Sequence, residues 1–261
     1  MGAAQILKPT TMPINLEIPV FSPSSALHAQ AIGAQRIELN AKGSYPVGGT
    51  TPSLADLEGI TKWLMVPVRV MIRPRGKPAD GPDFIYTEDE LAEMVRDIET
   101  FRGVLRKDRG DGFVFGVLKA SADGETVAID VERNRRLVEA AGGLPSSFHR
   151  AFDEIVRDGS AQTVGRGVRE LVECGFTGVL TSGGPGNAAG NKAVLEEVVR
   201  AAKPFGFEVI VGGGVRAANV ADVTDGLVGV WAHSSCFNGR CEEGEVDDEE
   251  AMGILEVLAE R

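Results

Sequence analysis

The chain is short of cysteine, of positive charge and of long apolar runs, and each shortage closes off a class of protein. Its three cysteines, Cys174, Cys236 and Cys241, are odd in number and form no Cys-x-x-Cys pair. That argues against a disulfide framework and for a reducing compartment. No apolar run approaches the roughly 20 residues a transmembrane helix needs, and residues 1–11 lack the apolar stretch of a signal peptide. Lysine and arginine number 27 against 38 acids, for a formal net charge of -11. Such a chain repels nucleic acid and anionic membranes, so neither is expected as a partner. A locally basic pocket for a small anionic ligand stays open. The expectation is a cytoplasmic protein with a flexible tail over residues 1–12 and one domain over 13–261.

What the chain does contain is alternation of short apolar runs with longer amphipathic ones. Strands are expected at 15–20, 36–40, 68–72, 112–118, 144–148, 178–180, 208–211 and 228–232. Helices are expected at 24–32, 53–64, 88–105, 130–141, 161–174, 188–203, 217–224 and 251–259. Ser53 with Asp56 three residues on reads as a capping box. Thr87 precedes Glu88, Asp89 and Glu90, acids suited to a positive helix start. Gly33, Gly142 and Gly175 stand where helices should stop. Eight strand–helix units in one chain predict an α/β fold, a single (β/α)8 TIM-type barrel. The Gly-x-Gly-x-x-Gly turn of a doubly wound sheet is missing after the first strand.

A barrel builds its active face from the C-terminal ends of its strands, and here those ends are polar. Glu17 and Glu38 sit inside apolar strands, and His149, Arg150 and Asp153 follow the fifth. A carboxylate in a strand is costly unless paired. Glu17, Glu38 and Asp153 are therefore expected to meet Arg73, Arg75 and Arg150, either as an ion-pair network or as a ligand pocket. In the pocket reading, Glu17, Glu38, His149 and Asp153 are the proton-transfer candidates. Arg73, Arg75 and Arg150 orient an anion. Thr181, Ser182, Gly183, Gly213 and Gly214 offer turns that suit an anion or merely a tight loop, and His233 and Ser234 close the set. His233, Cys236 and Cys241 form the candidate metal set for Cu(I) or Zn(II), at a spacing that matches no strong zinc pattern. Cys174 reads as core and His28 as surface. Lys119 is the one lysine near a strand end, a thin basis for Schiff-base chemistry.

Several segments together carry a family resemblance. They are Leu16-Glu17-Ile18, Arg36-Ile37-Glu38-Leu39, Gly48-Gly49-Thr50-Thr51-Pro52-Ser53, Met71-Ile72-Arg73-Pro74-Arg75-Gly76, Phe148-His149-Arg150-Ala151-Phe152-Asp153, Val179-Leu180-Thr181-Ser182-Gly183, Gly212-Gly213-Gly214-Val215 and His233-Ser234-Ser235. In this order, over residues 16–235, they resemble the CutC family. The resemblance implies a TIM-type barrel, a cytoplasmic and often oligomeric protein, a role in copper homeostasis and copper as a possible cofactor. Family members often carry cysteine after the first-strand glutamate and after the Glu-Leu of strand two, where this chain has Pro19 and Asn40. A copper site made from those cysteines is therefore not supported by the ligand positions. The loop over 77–84 and the acidic segment near the C-terminus also depart from the family pattern. Three functions follow as expectations: copper handling or binding; a lyase, isomerase or hydrolase acting on a small anionic metabolite at the barrel mouth; or a non-catalytic binding scaffold. A homo-oligomer is expected in each.

Overall fold

Leu16, Ile18 and Val20 alternate with Glu17 and Pro19 along the first strand, β1 (Asn15–Val20), and the apolar members and Glu17 alike are buried. The next strands repeat the pattern. In β2 (Arg36–Leu39), Ile37 and Leu39 alternate with Arg36 and Glu38, and in β3 (Val68–Met71), Val68 and Val70 alternate with Arg69 and Met71. Successive residues of a strand point to opposite faces, so one face here is apolar, the other carries charge, and both are buried. A closed sheet wrapped by helices satisfies that condition.

The computed structural model of the protein describes residues 14–121 and 126–260. The tail expected over 1–12 lies outside the described residues. The chain continues through β4 (Gly112–Phe115), a hairpin of β5 (Leu118–Ala120) and β6 (Val127–Ile129), then β7 (Ser146–Phe148), β8 (Gly178–Thr181), β9 (Glu208–Val211) and β10 (Val230–His233). Parallel strands close as β1-β2-β3-β4-β7-β8-β9-β10, with β10 returning to β1 so that Glu17 lies opposite His233. Arg36 on β2 reaches Glu208 on β9 across the two strands between them. That contact runs through the barrel interior and identifies the charged face as the inner one. The outer faces pack on helices that include α1 (Pro23–Ile32), α2 (Leu54–Ile60), α3 (Glu88–Arg102), α4 (Val131–Ala140), α5 (Phe152–Ile155) and α6 (Ala161–Cys174), followed by α7 (Lys192–Ala202), α8 (Val220–Thr224) and α9 (Asp248–Ala259).

Helix starts follow the sequence chemistry. Ser53 and Asp56 form the expected capping box, and Thr87 forms another with Glu90. Gly175 ends α6 at a φ of 91°, a left-handed cap that glycine adopts without strain. Cys174 is core, and His28 is a surface residue paired with Asp248.

Several elements are shorter than expected, α5 is not among the helices expected, and three departures bear on the site. The strand expected over 112–118 breaks at Gly116, where a Cβ would stand 2.8 Å from the His149 ring. The chain then leaves the barrel as the antiparallel β5–β6 hairpin, which puts Lys119 on an exposed strand away from the mouth. The helix expected over 188–203 opens with a 3-10 turn, Ala188–Asn191, before α7. The last strand starts later than expected because Gly229, at a φ of 73°, extends the preceding turn. That shift carries His233 into the strand.

Candidate functional site

The inner face of the barrel holds a chain of charged groups. Glu17 accepts a short hydrogen bond from Arg36 Nε through one oxygen and meets His233 Nδ1 at 2.7 Å through the other. Arg36 also donates from Nη1 to both carboxylate oxygens of Glu208, at 2.9 and 3.1 Å, and its guanidinium lies 3.9 Å from the Trp231 ring centroid. Burial alone would raise the Glu17 carboxyl, but Arg36 and then His233 pull it down to about 2. Burial works against a charged His233, while its bond to Glu17 and the nearby Glu38 carboxyl lift it above the ordinary histidine range. Arg69, buried beside Arg36, is lowered to about 10.

Glu38 lies on the same inner face, two residues beyond Arg36 and opposite Pro19. Its Oε1 accepts from Asn40 Nδ2 at 3.1 Å, while Oε2 is buried without a partner. Burial raises this carboxyl, and the ionised Glu17 nearby adds to the shift. The two acids are thus shifted in opposite directions, Glu17 towards the charged form and Glu38 towards the protonated one. Ligand atoms of Glu17, Glu38 and His233 all lie within 4.8 Å of one another.

Glu38 and His233 line a cavity of about 460 Å³ at the C-terminal end of the strands. His149 lines it too. His149 Nδ1 accepts from the Ala151 N–H at 3.4 Å, so the ring proton belongs on Nε2, which is buried and unpartnered. Burial, and then the charge of Arg73, lower this imidazole to about 3, so it is a neutral donor. The Phe84 ring lies 4.6 Å from the His149 ring and 5.1 Å from the Arg73 guanidinium. Phe84 has a φ of 63°, unusual for a bulky residue. Arg73 is fixed by the Val47 and Gly49 carbonyls at 2.6 and 2.7 Å and by Asp83 at 2.8 Å. Thus the 77–84 loop brings Asp83 and Phe84 into the wall of the site.

The arginine–acid pairing differs from expectation. Arg150 does meet Asp153, at 2.8 Å. Glu17 pairs with Arg36 instead, Arg73 with Asp83, and Glu38 has no cation partner among the described ion pairs. Arg75 pairs with Glu90, donates to the Ile85 carbonyl and is not among the cavity-lining residues. Asp153 lines the cavity but accepts from the Thr181 hydroxyl at 2.5 Å, the Ser182 N–H at 2.9 Å and the Ser182 hydroxyl at 2.8 Å, besides Arg150. With both oxygens engaged it acts as an anchor. Thr181, Ser182 and Gly183 likewise serve the loop, Gly183 N–H donating to the Thr181 hydroxyl, and do not line the cavity.

Gly213, Gly214 and Ser234 do line it. At Gly213 (φ 93°) a Cβ would come within 2.8 Å of Ser182 Cβ and 3.3 Å of Arg150 Cζ, so close approach to the Arg150 guanidinium requires glycine. Sequence reasoning left Tyr45, Asp83, Phe84 and Arg216 out of the candidate set, and all four line the cavity. The polar neighbours of Arg216, after the glycine run, were a usable signal.

The metal set expected at His233, Cys236 and Cys241 does not assemble. Among the described residues the potential ligand atoms that cluster are those of Glu17, Glu38 and His233. Cys236 is fully buried, its Sγ 3.6 Å from the Ser234 carbonyl, and burial pushes its thiol up to about 12. Cys241 Sγ lies 3.4 Å from the Glu245 carbonyl, and its thiol is raised by burial and by Asp247. Cu(I) requires thiolate or thioether donors. Two protonated cysteines that do not converge do not fit it.

The CutC family profile matches residues 14–237. The chain belongs to the CutC family. A "Copper homeostasis protein cutC homolog" from Drosophila melanogaster is 36% identical over 211 residues, covering 80% of this chain and 72% of its own. A family protein CutC from Salmonella typhimurium (strain LT2) is 36% identical over 210 residues, covering 80% of this chain and 75% of its own. The solved structure of a CutC from Streptococcus agalactiae superposes with a TM-score of 0.71 at 29% identity, covering 85% of this chain and 98% of that one. The CutC barrel is therefore what the polar strands of this chain build. Among the described residues no helix is long and apolar enough to cross a membrane.

Proposed function

We propose that this CutC-family chain serves in copper homeostasis, the role in the name of its Drosophila relative, through a barrel mouth that binds a small anionic compound and exchanges a proton with it. The observation that carries the site reading is the Glu17–His233–Glu38 cluster, whose side-chain atoms lie within 4.8 Å of one another and where one acid is shifted towards the charged form, the other towards the protonated form, and the histidine towards its cation. Environments that push two titratable groups apart assign an acid and a base. Glu17 orients His233 through Nδ1 and stabilises its charged form, and Arg36 keeps Glu17 ionised. Glu38 holds the movable proton at the cavity wall. Isomerase, lyase and hydrolase chemistry each draw on such a transfer. The test is solvent-deuterium exchange into carbon-bound hydrogens of hydroxy and carbonyl compounds, followed by NMR. Exchange with the wild-type protein that is lost in Glu38→Gln supports the reading; exchange that persists in Glu38→Gln overturns it.

A second reading has one observation in its favour, the three ligand atoms within 4.8 Å. Two carboxylates and an imidazole suit a divalent borderline ion better than Cu(I). Such an ion, supplying Lewis acidity, would be held by Glu17, Glu38 and His233 once Glu38 and His233 release their protons, so its affinity would rise with pH. Titration with Cu(II) and Zn(II) at two pH values separates this reading from the first. We place the protein in the cytoplasm without nucleic-acid or membrane partners, on the support of its net charge of -11 and its cysteine usage, and as a homo-oligomer on its family resemblance alone.

A further inference from the structure

We infer that the compound bound at this mouth has two recognition ends: a terminal oxyanion, phosphate or carboxylate, held by Arg216, and a hydroxyl that accepts from His149 and hydrogen-bonds with Glu38. This rests on the small-molecule reading above and specifies its substrate class.

The first end is argued from charge. Arginines 73, 150 and 216 all line the cavity. Arg73 is neutralised by Asp83 and Arg150 by Asp153, each at 2.8 Å. Among the described residues no carboxylate lies within 4.0 Å of Arg216. Its Nη1 donates to the Val215 carbonyl at 2.7 Å and lies 3.5 Å from the Ser234 hydroxyl, both neutral oxygens. A guanidinium held in place with donors to spare suits a carboxylate or phosphate. Ser234 directly follows His233 in the chain, which ties this end to the proton-transfer cluster.

The second end is argued from hydrogen bonding. Glu38 Oε2 and His149 Nε2 are both buried, both unpartnered, and both belong to residues lining the cavity. The Ala151 N–H occupies His149 Nδ1 and leaves a proton on Nε2. Glu38 Oε2 has no hydrogen bond and Glu38 makes no ion pair among the described residues, so this oxygen is free to bond with a ligand hydroxyl. Buried polar atoms without partners cost about 1–3 kcal/mol each, and a ligand hydroxyl that bonds with both recovers that cost. The cavity of about 460 Å³ holds about fifteen non-hydrogen atoms at a water's share of ~30 Å³ each. A phosphorylated or carboxylated hydroxy-carbonyl compound of a few carbons fits these demands together.

The experiment is equilibrium binding to the purified protein by calorimetry, with inorganic phosphate, acetate, dihydroxyacetone and dihydroxyacetone phosphate as probes. The variants are Arg216→Gln, Glu38→Leu and Glu38→Gln, each checked for fold by circular dichroism. At least one of the two simple oxyanions should bind, and which one identifies the anion. Arg216→Gln should weaken that oxyanion and dihydroxyacetone phosphate about tenfold or more. Glu38→Leu should weaken dihydroxyacetone phosphate by a similar factor and leave the simple oxyanion unchanged, while Glu38→Gln, which still donates, should largely restore it. Oxyanion affinity unaffected by Arg216→Gln overturns the inference, as does failure of both oxyanions to bind in the millimolar range. Deuterium exchange with binding that ignores Arg216 overturns this inference alone. Arg216-dependent binding without exchange overturns the proton-transfer reading alone.

Discussion

Glu17 and Glu38 stand on neighbouring strands of one barrel interior, and their carboxyls are shifted in opposite directions. Glu17 is held ionised by Arg36 and His233, whereas Glu38 has Asn40 as its side-chain partner and an orphaned second oxygen. Neutralising each should therefore have unequal effects. Glu17→Gln leaves His233 without its carboxylate partner and Arg36 with Glu208 alone, and should cost about 3–5 kcal/mol in urea unfolding. Glu38→Gln breaks no ion pair among the described residues, keeps an oxygen for Asn40, and should stay within about 1 kcal/mol of wild type. Equal losses would show that both acids are ionised in the folded state.

His149 should make the fold sensitive to acid. Its folded value, about 3 against the ordinary 6.5, means that the folded state resists a proton the unfolded chain accepts. The stabilisation is complete above 6.5 and is lost as pH falls towards 3. Glu38 and His233, both raised, contribute with the opposite sign and lose stabilisation as pH rises. The comparison is therefore between wild type and His149→Gln. From pH 7 to pH 5 the wild type should lose about 2 kcal/mol relative to the variant. Parallel pH profiles would place a charged His149 in the folded state.

The arginines of the resemblance motifs should separate by function. Arg75→Ala, which removes a pair with Glu90 and a bond to the Ile85 carbonyl, should leave ligand affinity at the mouth unchanged. Arg73→Ala removes the clamp on Val47, Gly49 and Asp83 and should weaken it about tenfold. Calorimetry with the anionic probes above is the measurement, and a larger loss in Arg75→Ala contradicts the placement of the two side chains.

Thiol chemistry should be quiet. In the native protein Cys174 and Cys236, buried and raised to about 11 and about 12, should resist alkylation until the chain unfolds. Competition with a Cu(I) chelator should show weak affinity, and Cys236→Ser with Cys241→Ser should abolish whatever remains. Tight Cu(I) binding that survives the double change would contradict the thiol assignments.

Much of this site could be read from residue order. Charged residues two apart in apolar strands, as in Glu17, Arg36 and Glu38, signal an inner face that differs from the outer one. His149 and His233 stand at strand ends in any barrel that places them after β7 and in β10. What the sequence concealed was pairing. That Glu17 meets Arg36 and not Arg73 depends on the β1–β2 register, in which the two lie opposite. That Thr181 and Ser182 serve Asp153 depends on a short helix, α5, too brief to show a period. The 77–84 loop gave no hint of covering the mouth, because loop residues carry no periodicity to orient them. The β5–β6 hairpin was hidden for the same reason: three-residue strands are too short to alternate visibly.

β10 meets β1 along the seam that completes the barrel, and Glu17 faces His233 across it. The Glu17–His233 pair therefore does not exist until the last barrel strand has docked. A chain emerging during synthesis passes through every earlier strand with Glu17 and Arg36 already made but no histidine to meet them. Occupancy of the mouth by a ligand thus reports finished closure, and a compound that binds there also rewards the final step of assembly.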